Sequence, residues 1–304
     1  MRILVLGPTG FLGGHVAGQL RTLAGVRVLG GGRTVDPGLT VNLPVDLAAV
    51  SVAGLARSLG ALAPDAVVNC AGAVSGDPVR MAETNARGPA VLCEALREAA
   101  PGARLVHLGS AAEYGPTPAG QTLTENSPVN PQGTYGATKL AGSYAVTEAG
   151  ASGLDTVVLR VFNPVGPGSP AAGLSGRLAG ELRRAGPEGT VRVGDLSAYR
   201  DFVDARDMAR AAALAATAPG TLPPVLNIGS GTATRARDLA EELARAAGFR
   251  GRIEEHGTGS QRSSAVSWQR ADVTAATTAL DWRPRLTLAD SLADLWAEHT
   301  RVPA

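Results

Sequence analysis

In the stretch TYGATK, Tyr135 and Lys139 stand four residues apart, and Lys139 is the only lysine of the 304-residue chain. On a helix that spacing puts both side chains on one face. A free tyrosine ionises near pH ~10 and is a poor proton-transfer group at neutrality. An ammonium beside it, or an oxidised nicotinamide, stabilises the phenolate and lowers that pKa. The pair can then move a proton while hydride moves to or from a cofactor. Taken alone, the spacing fits equally well a surface lysine and a half-buried tyrosine on an amphipathic helix. Two further features favour the chemical reading. One is HLGSAAEYG (107–115), where a short apolar run ends in Gly109-Ser110; the other is a glycine cluster near residue 10. After Ser110 come Ala111 and Ala112, which carry no functional group, and then Glu113.

The glycine cluster GPTGFLG holds Gly7, Gly10 and Gly13 between an apolar run and a helical pattern. The first glycine permits a tight turn, the second lets the backbone approach a pyrophosphate, and the third lets helix pack on strand. The helix N-terminus adds N–H donors and a positive dipole end. This arrangement predicts dinucleotide binding. An NAD site usually ends its second strand in an acid that holds the ribose 2′-hydroxyl. Here VLGGGRT lacks the acid and brings Arg33, whose guanidinium can pair a 2′-phosphate that a carboxylate would repel. NADP(H) is therefore favoured and NAD(H) stays open; a plain loop charge is the competing reading of Arg33. Asp46, in LPVDLAAV, could accept a hydrogen bond from an adenine amino group or cap the helix that follows.

These residues need strands and helices to position them. Continuous apolar runs at 2–7, 26–30, 66–72, 104–110 and 155–161 read as strands buried on both faces of a parallel sheet. Helical patterns at 11–23, 80–99 and 133–150 lie between them. The alternation predicts an α/β fold, a Rossmann-type doubly wound parallel sheet. After Phe162 the texture turns rich in Gly, Pro and Ser (163–176), which marks a smaller, discontinuous C-terminal substrate-binding lobe. We expect 1–162 with about 199–228 to form the NADP(H)-binding domain, and about 163–198 with 229–285 to form the lobe.

Composition limits the partners. Lys+Arg 28 against Asp+Glu 27 leaves a formal charge of +1, so no broad basic field exists to hold nucleic acid or an anionic membrane. A small-molecule substrate is the expectation. No apolar run reaches bilayer length, and RILVLG is too short for a signal segment, so a cytoplasmic protein is expected. Cys70 and Cys93 have no metal-ligand spacing and read as buried free thiols; no metal is expected. His15, His107, His256 and His299 have no acid or nucleophile at a telling spacing. The helical patterns at 80–99 and 133–150 allow a homodimer, although core packing accounts for their apolar faces equally well.

Over nearly its whole length the chain resembles the extended short-chain dehydrogenase/reductases, the superfamily of nucleotide-sugar epimerases, dehydratases and reductases. The resemblance is carried by GPTGFLGG, VVNCAG, Asn85 in ETNARGP, GSAAEYG, TYGATK, RVFNPVGPG, YRDFVDARDMA, LNIGSG and LDWRPRLTLADSL. It implies that Tyr135 gives or takes the proton, that Lys139 tunes it and holds the nicotinamide ribose, and that Ser110 hydrogen-bonds the reacting oxygen. It further implies cofactor contacts from Gly7, Thr9, Gly10, Phe11, Leu12, Gly13, Arg33, Asp46, Leu47, Ala71, Gly72, Tyr135 and Lys139. Substrate contacts are implied for Ser110, Ala111, Tyr135, Asn163, Arg200 and Arg262, the two arginines on a diphosphate. Asn69 and Asn85 are implied to be structural. Dehydratases of the superfamily carry an acidic pair directly after the Ser or Thr; Ala111 and Ala112 stand there instead, which argues against dehydration. GSAAEYG, RVFNPVGPGSP, VGDLSAYRDFVDARD and LNIGSGTA are most similar to the GDP-6-deoxymannose reductase group. The implied activity is NADP(H)-dependent reduction of a nucleotide-linked 4-keto-6-deoxyhexose. A 4-epimerase that retains its NAD, a reductase of a non-sugar ketone and a non-catalytic dinucleotide sensor are the alternatives.

Overall fold

A computed structural model describes residues 1–39, 41–257 and 266–301. The first half of the chain runs β1 (Arg2–Leu6), α1 (Phe11–Arg21), β2 (Arg27–Gly32), β3 (Asn42–Pro44), α2 (Val52–Leu62), β4 (Ala66–Asn69) and α3 (Pro78–Ala82). A π-helical turn (Glu83–Arg87) joins α3 to α4 (Gly88–Ala99); β5 (Arg104–Ser110), a 3-10 turn (Ala111–Glu113), α5 (Gly133–Ala151) and β6 (Thr156–Val161) follow. The remainder runs β7 (Asn163–Val165), α6 (Leu174–Ala185), β8 (Thr190–Val193), β9 (Tyr199–Asp204), α7 (Ala205–Thr217), β10 (Val225–Ile228), β11 (Ala233–Arg235), α8 (Ala236–Ala246), β12 (Arg252–Glu255), α9 (Thr274–Leu280) and α10 (Leu288–Arg301).

Seven strands form one parallel sheet in the order β10-β6-β5-β4-β1-β2-β3. The apolar runs of β1, β4 and β6 are buried along nearly their whole length, because helices cover both faces. On one face Ile3, Val5, Val68, Val106 and Leu159 pack against α1, α7 and α9. The alanine-rich sequence of α7 lets it lie close on the sheet, with Ala211, Ala212 and Ala215 fully buried. On the other face Leu4, Leu6, Val67, Leu105 and Val158 pack against α2, α4 and α5.

The strand order reverses between β1 and β4, and ligands of such sheets bind at the carboxyl ends of the strands beside that reversal. β4 ends at Asn69, opposite His107 of β5, whereas β5 pairs with β6 as far as Ser110 and Val161. β5 therefore overhangs β4 and carries Ser110 past the end of that strand, at the ligand end of the sheet.

The smaller part has a core of its own, built from α6, α8, α10, β8 and β12 around Leu178, Leu182, Leu239, Leu243 and Leu292. It contains a three-stranded sheet, β11-β9-β7, and a two-stranded one, β12-β8. β9 pairs with β7 and β11, while its Val203 packs into the core under the large sheet. Ala276 and Leu280 of α9, with Trp282, pack into the core under the large sheet rather than into the smaller one. The period of a short apolar segment shows that it is buried but not which sheet it joins.

Candidate active site

The turn after β1 is shaped for close backbone approach. Gly7 has φ +80°, and a Cβ there would sit 3.2 Å from the Ala71 backbone at the end of β4. A Cβ on Gly13 would collide with the Gly7 carbonyl, so α1 can start this near the turn only with glycine at 13. Gly7 N–H donates to the Gly31 carbonyl at 2.7 Å, tying the turn to β2. Gly10 caps α1 without a side-chain hydrogen bond to its first amides, and no acid lies in that first turn. The positive end of the helix is thus left bare, as an anionic pyrophosphate requires. The glycine cradle and the open helix end fit a dinucleotide.

The other cofactor candidates surround that turn. Thr9, Phe11 and Leu12 belong to it, and the loop at Pro167 and Gly168 packs over it: His15 bonds the Pro167 carbonyl at 2.8 Å, and Phe11 lies against Gly168. Arg33 is exposed just past β2. Asp46 does not cap the next helix, since Ser51 caps α2. Its carboxylate accepts from the Ala48 N–H at 3.1 Å and pairs with Arg80 at 2.7 Å, and these contacts hold its pKa below the usual carboxylate range against the opposing effect of burial. Leu47 is buried beside Gly88. Ala71 and Gly72 follow β4, anchored by Asn69 and Asn85. Asn69 Oδ1 accepts from Ala71 N–H, and the Asn85 side chain exchanges two bonds of 2.8 Å with the Ala73 backbone and donates to Thr138 Oγ1. Asn85 thus bridges the loop after β4 to α5, while Asn69 holds the start of that loop and lies 3.2 Å from His107 Nδ1 on β5.

Ser110 begins the 3-10 turn in extended conformation (φ −148°, ψ 144°). Its Oγ accepts from the Ala112 N–H at 3.2 Å, and the Glu113 carboxylate returns to accept the Ser110 N–H at 2.8 Å, a reciprocal cap. The first turn of α5 lies directly on this segment, for a Cβ on Gly136 would sit 2.7 Å from the Ala112 carbonyl oxygen. Tyr135, the residue before, is brought by that contact to the Ser110 end of β5. One turn on, Lys139 is 5% exposed, and its Nζ donates to the Leu108 carbonyl. Burial lowers the Lys139 pKa, while Glu113 and Cys70 act to raise it. His107, buried under the same helix, is held neutral by burial and by the Lys139 charge. Burial raises the Cys70 thiol to about 12.

From the smaller part, Asn163 donates to the Asp201 carbonyl at 3.1 Å and lies 3.5 Å from Gln269 Oε1. Arg200 is buried with its guanidinium on the Tyr199 and Val266 carbonyls, and burial lowers its pKa. Ala111 is buried and its carbonyl accepts from Gln269 Nε2 at 3.1 Å. Arg262 lies outside the described residues.

Sequence reasoning missed two features. Gln269 has no local pattern to announce it. The pair Glu113–Arg160, closed at 2.8 Å with both side chains buried, did leave a signal: an arginine inside the strand run VVLRV must find a buried partner.

The comparisons agree with this geometry. A sequence profile described as the NAD dependent epimerase/dehydratase family matches residues 3–229. The chain is 38% identical over 313 residues to dTDP-6-deoxy-L-talose 4-dehydrogenase (NAD(P)(+)) of Kitasatospora kifunensis, covering 99% of this chain and 96% of that one. Among solved structures it is similar to MoeE5 in complex with UDP-glucose and NAD (TM-score 0.86, 27% identity, 99% of each chain). It is also similar to RMD from Pseudomonas aeruginosa complexed with NADPH (TM-score 0.83, 25% identity, 99% of each chain). The chain therefore belongs to the NAD dependent epimerase/dehydratase family, the extended short-chain dehydrogenase/reductases, and is an NAD(P)-dependent enzyme.

Proposed function

We propose that this enzyme uses NADP(H) to reduce the 4-keto group of a nucleotide-activated 4-keto-6-deoxyhexose. The observation that carries the reading is the proton inventory at the end of β5. Ala111 and Ala112 have no proton to give, and the acid beside them, Glu113, is fully buried and engaged by Ser110, Ser143 and Arg160. Among the described residues at that strand end, what remains is one hydroxyl and one tyrosine–lysine pair. That set suits hydride transfer with a single proton and lacks the extra acid and base that loss of water needs.

Gly7, Gly10, Gly13 and the first amides of α1 hold the pyrophosphate, with Thr9, Phe11, Leu12, Ala71 and Gly72 around it and Asp46 and Leu47 toward the adenine. Arg33 pairs the 2′-phosphate. The bound dinucleotide supplies the hydride. Ser110 Oγ hydrogen-bonds the carbonyl oxygen and favours the negative charge that builds there. Tyr135 passes its proton to that oxygen, and the Lys139 ammonium stabilises the phenolate left behind. Arg200 and Arg262 bind the diphosphate, with Asn163 and Ala111 beside the sugar. A relative named for 4-dehydrogenation of a dTDP-6-deoxysugar supports the substrate class and the carbon at which the reaction occurs. The outward side of α5, where Ala137, Ala141 and Tyr144 are exposed, is the face on which a homodimer would form.

The test is a panel of dTDP-, GDP- and UDP-linked 4-keto-6-deoxyhexoses assayed with NADPH and NADH. Turnover of one nucleotide class with NADPH preferred supports the reading; no oxidation of either cofactor with any member refutes it.

A further inference from the structure

The Glu113 carboxylate has its full set of partners beneath the reacting end of β5. Oε1 accepts from the Ser110 N–H and from Ser143 Oγ, each at 2.8 Å, and Oε2 accepts from Arg160 Nε at 2.8 Å. Ser143 lies one helical turn beyond Lys139 on α5, so both project from the same side of the helix. Lys139 in turn bonds the Leu108 carbonyl, two residues before Ser110. Between those anchors, Gly109 leaves the space the carboxylate fills: a Cβ there would sit 2.8 Å from Glu113 Oε1 and 3.1 Å from Ser143 Oγ. Arg160 reaches further. Its guanidinium lies 4.8 Å from the centre of the Tyr114 ring, and the Tyr114 hydroxyl donates to Asn227 of β10 at 2.7 Å. One carboxylate thereby joins β5, α5 and β6, and through Tyr114 it reaches β10.

A buried ion pair costs desolvation, and an apolar pair of similar volume often stabilises a fold as well or better. What an apolar pair cannot supply is an acceptor for the Ser110 N–H and an anion beside a buried ammonium. We propose that Glu113 is a positioning residue for the reaction: it fixes the backbone that presents Ser110 and, through Ser143, sets a negative charge one helical turn from the Lys139 ammonium. This rests on the roles proposed above for Ser110 and Lys139. Among the described residues, the charged and titratable groups that face this centre are Arg160 of β6, Tyr114, Tyr135 and Lys139 of α5, Cys70 after β4 and His107 of β5.

The test uses Glu113→Gln, which keeps the shape and one acceptor but removes the charge, and Glu113→Gln with Arg160→Met, which also removes the stranded guanidinium. Because the chain has one lysine, protein labelled with ¹³Cε-lysine reports the Lys139 titration as a single NMR resonance, without any substrate. For Glu113→Gln we expect a Lys139 titration at lower pH. We also expect kcat to fall on the order of ten- to a hundredfold with KM within about threefold, as for misplaced reacting groups. The alkaline limb of the rate profile moves to lower pH with it. The double variant is expected to recover thermal midpoint but not kcat. A Lys139 titration and kcat unchanged in folded Glu113→Gln overturn the proposal. Recovery of wild-type kcat along with stability in the double variant overturns it too, since Glu113 would then serve the fold alone. If the wild-type enzyme reduces no 4-keto nucleotide sugar, the functional reading fails while the lysine titration still decides this one.

Discussion

Ser110 and Glu113 cap each other's turn, the serine N–H donating to the Glu113 carboxylate at 2.8 Å while the serine Oγ accepts from the Ala112 N–H. The acid nearest the candidate reacting hydroxyl is thus committed to holding it. That separates this site from one equipped to eliminate water, although a carboxylate stands only three residues away in sequence.

Gly109 is the position most sensitive to a single methyl group in this arrangement. Gly109→Ala would place a Cβ 2.8 Å from Glu113 Oε1 and 2.9 Å from Val158 Cγ1. Overpacking of this kind costs about 1–3 kcal/mol. Denaturant unfolding should show that loss, and steady-state assays should show a lower kcat as the carboxylate is pushed off Ser110.

Replacing Tyr135 by Phe removes the proposed proton donor and keeps the ring. Turnover is expected to fall by about 10²–10⁴, with NADPH affinity measured by fluorescence titration unchanged. Wild-type turnover in this variant would sink the assignment of Tyr135.

Arg33 is exposed beyond the glycine end of β2, with no acid on that strand to hold a 2′-hydroxyl. Arg33→Ala should lower kcat/KM for NADPH about tenfold, the worth of one charge-assisted contact, and leave the value for NADH unaltered. An equal loss with both cofactors would mean that Arg33 does not read the phosphate.

Asp204 links the start of α7 to α10. Its carboxylate caps Arg206 N–H at 2.7 Å, pairs with the Arg206 side chain and accepts from Ser291 Oγ at 2.6 Å. Burial would raise its pKa, but these hydrogen bonds outweigh burial and hold it below the ordinary carboxylate value. A carboxyl depressed on folding contributes stability that is complete above its unfolded pKa, near ~4, and is lost as pH falls toward the folded value. Thermal unfolding of the wild type should weaken below about pH 4. Asp204→Asn should cost about 1–3 kcal/mol at neutral pH and show a flatter acid limb.

Much of this architecture is legible in the sequence, for identifiable reasons. The runs at 2–7, 104–110 and 155–161 are mostly apolar because both faces of a parallel sheet are covered, and each ends within a residue or so of the strand that forms. Gly7 and Gly13 announce their turn because a positive φ at the first and close backbone approach at the second leave no room for other residues. The placement of β9 is not legible, since its residues are buried on both sides, with Phe202 and Val203 in different cores, and such a short strand suits either sheet. Nor is the pairing of Glu113 with Arg160 across 47 positions, though an arginine in a buried strand asks for such a partner. Gln269 meets the Ala111 carbonyl from 158 residues away, a contact set by how the chain folds back and by no local pattern.

The central claim is that hydride from NADPH ends on carbon 4 of the sugar in a net reduction. Deuterium-labelled NADPH, carrying the label in the transferred position, should be incubated with the 4-keto-6-deoxyhexose nucleotide that the substrate panel selects. The account predicts one deuterium at carbon 4 of the product and one NADP⁺ formed per sugar reduced. A 4-hydroxyl sugar interconverted with its epimer without label at carbon 4 and without NADPH consumed would contradict it.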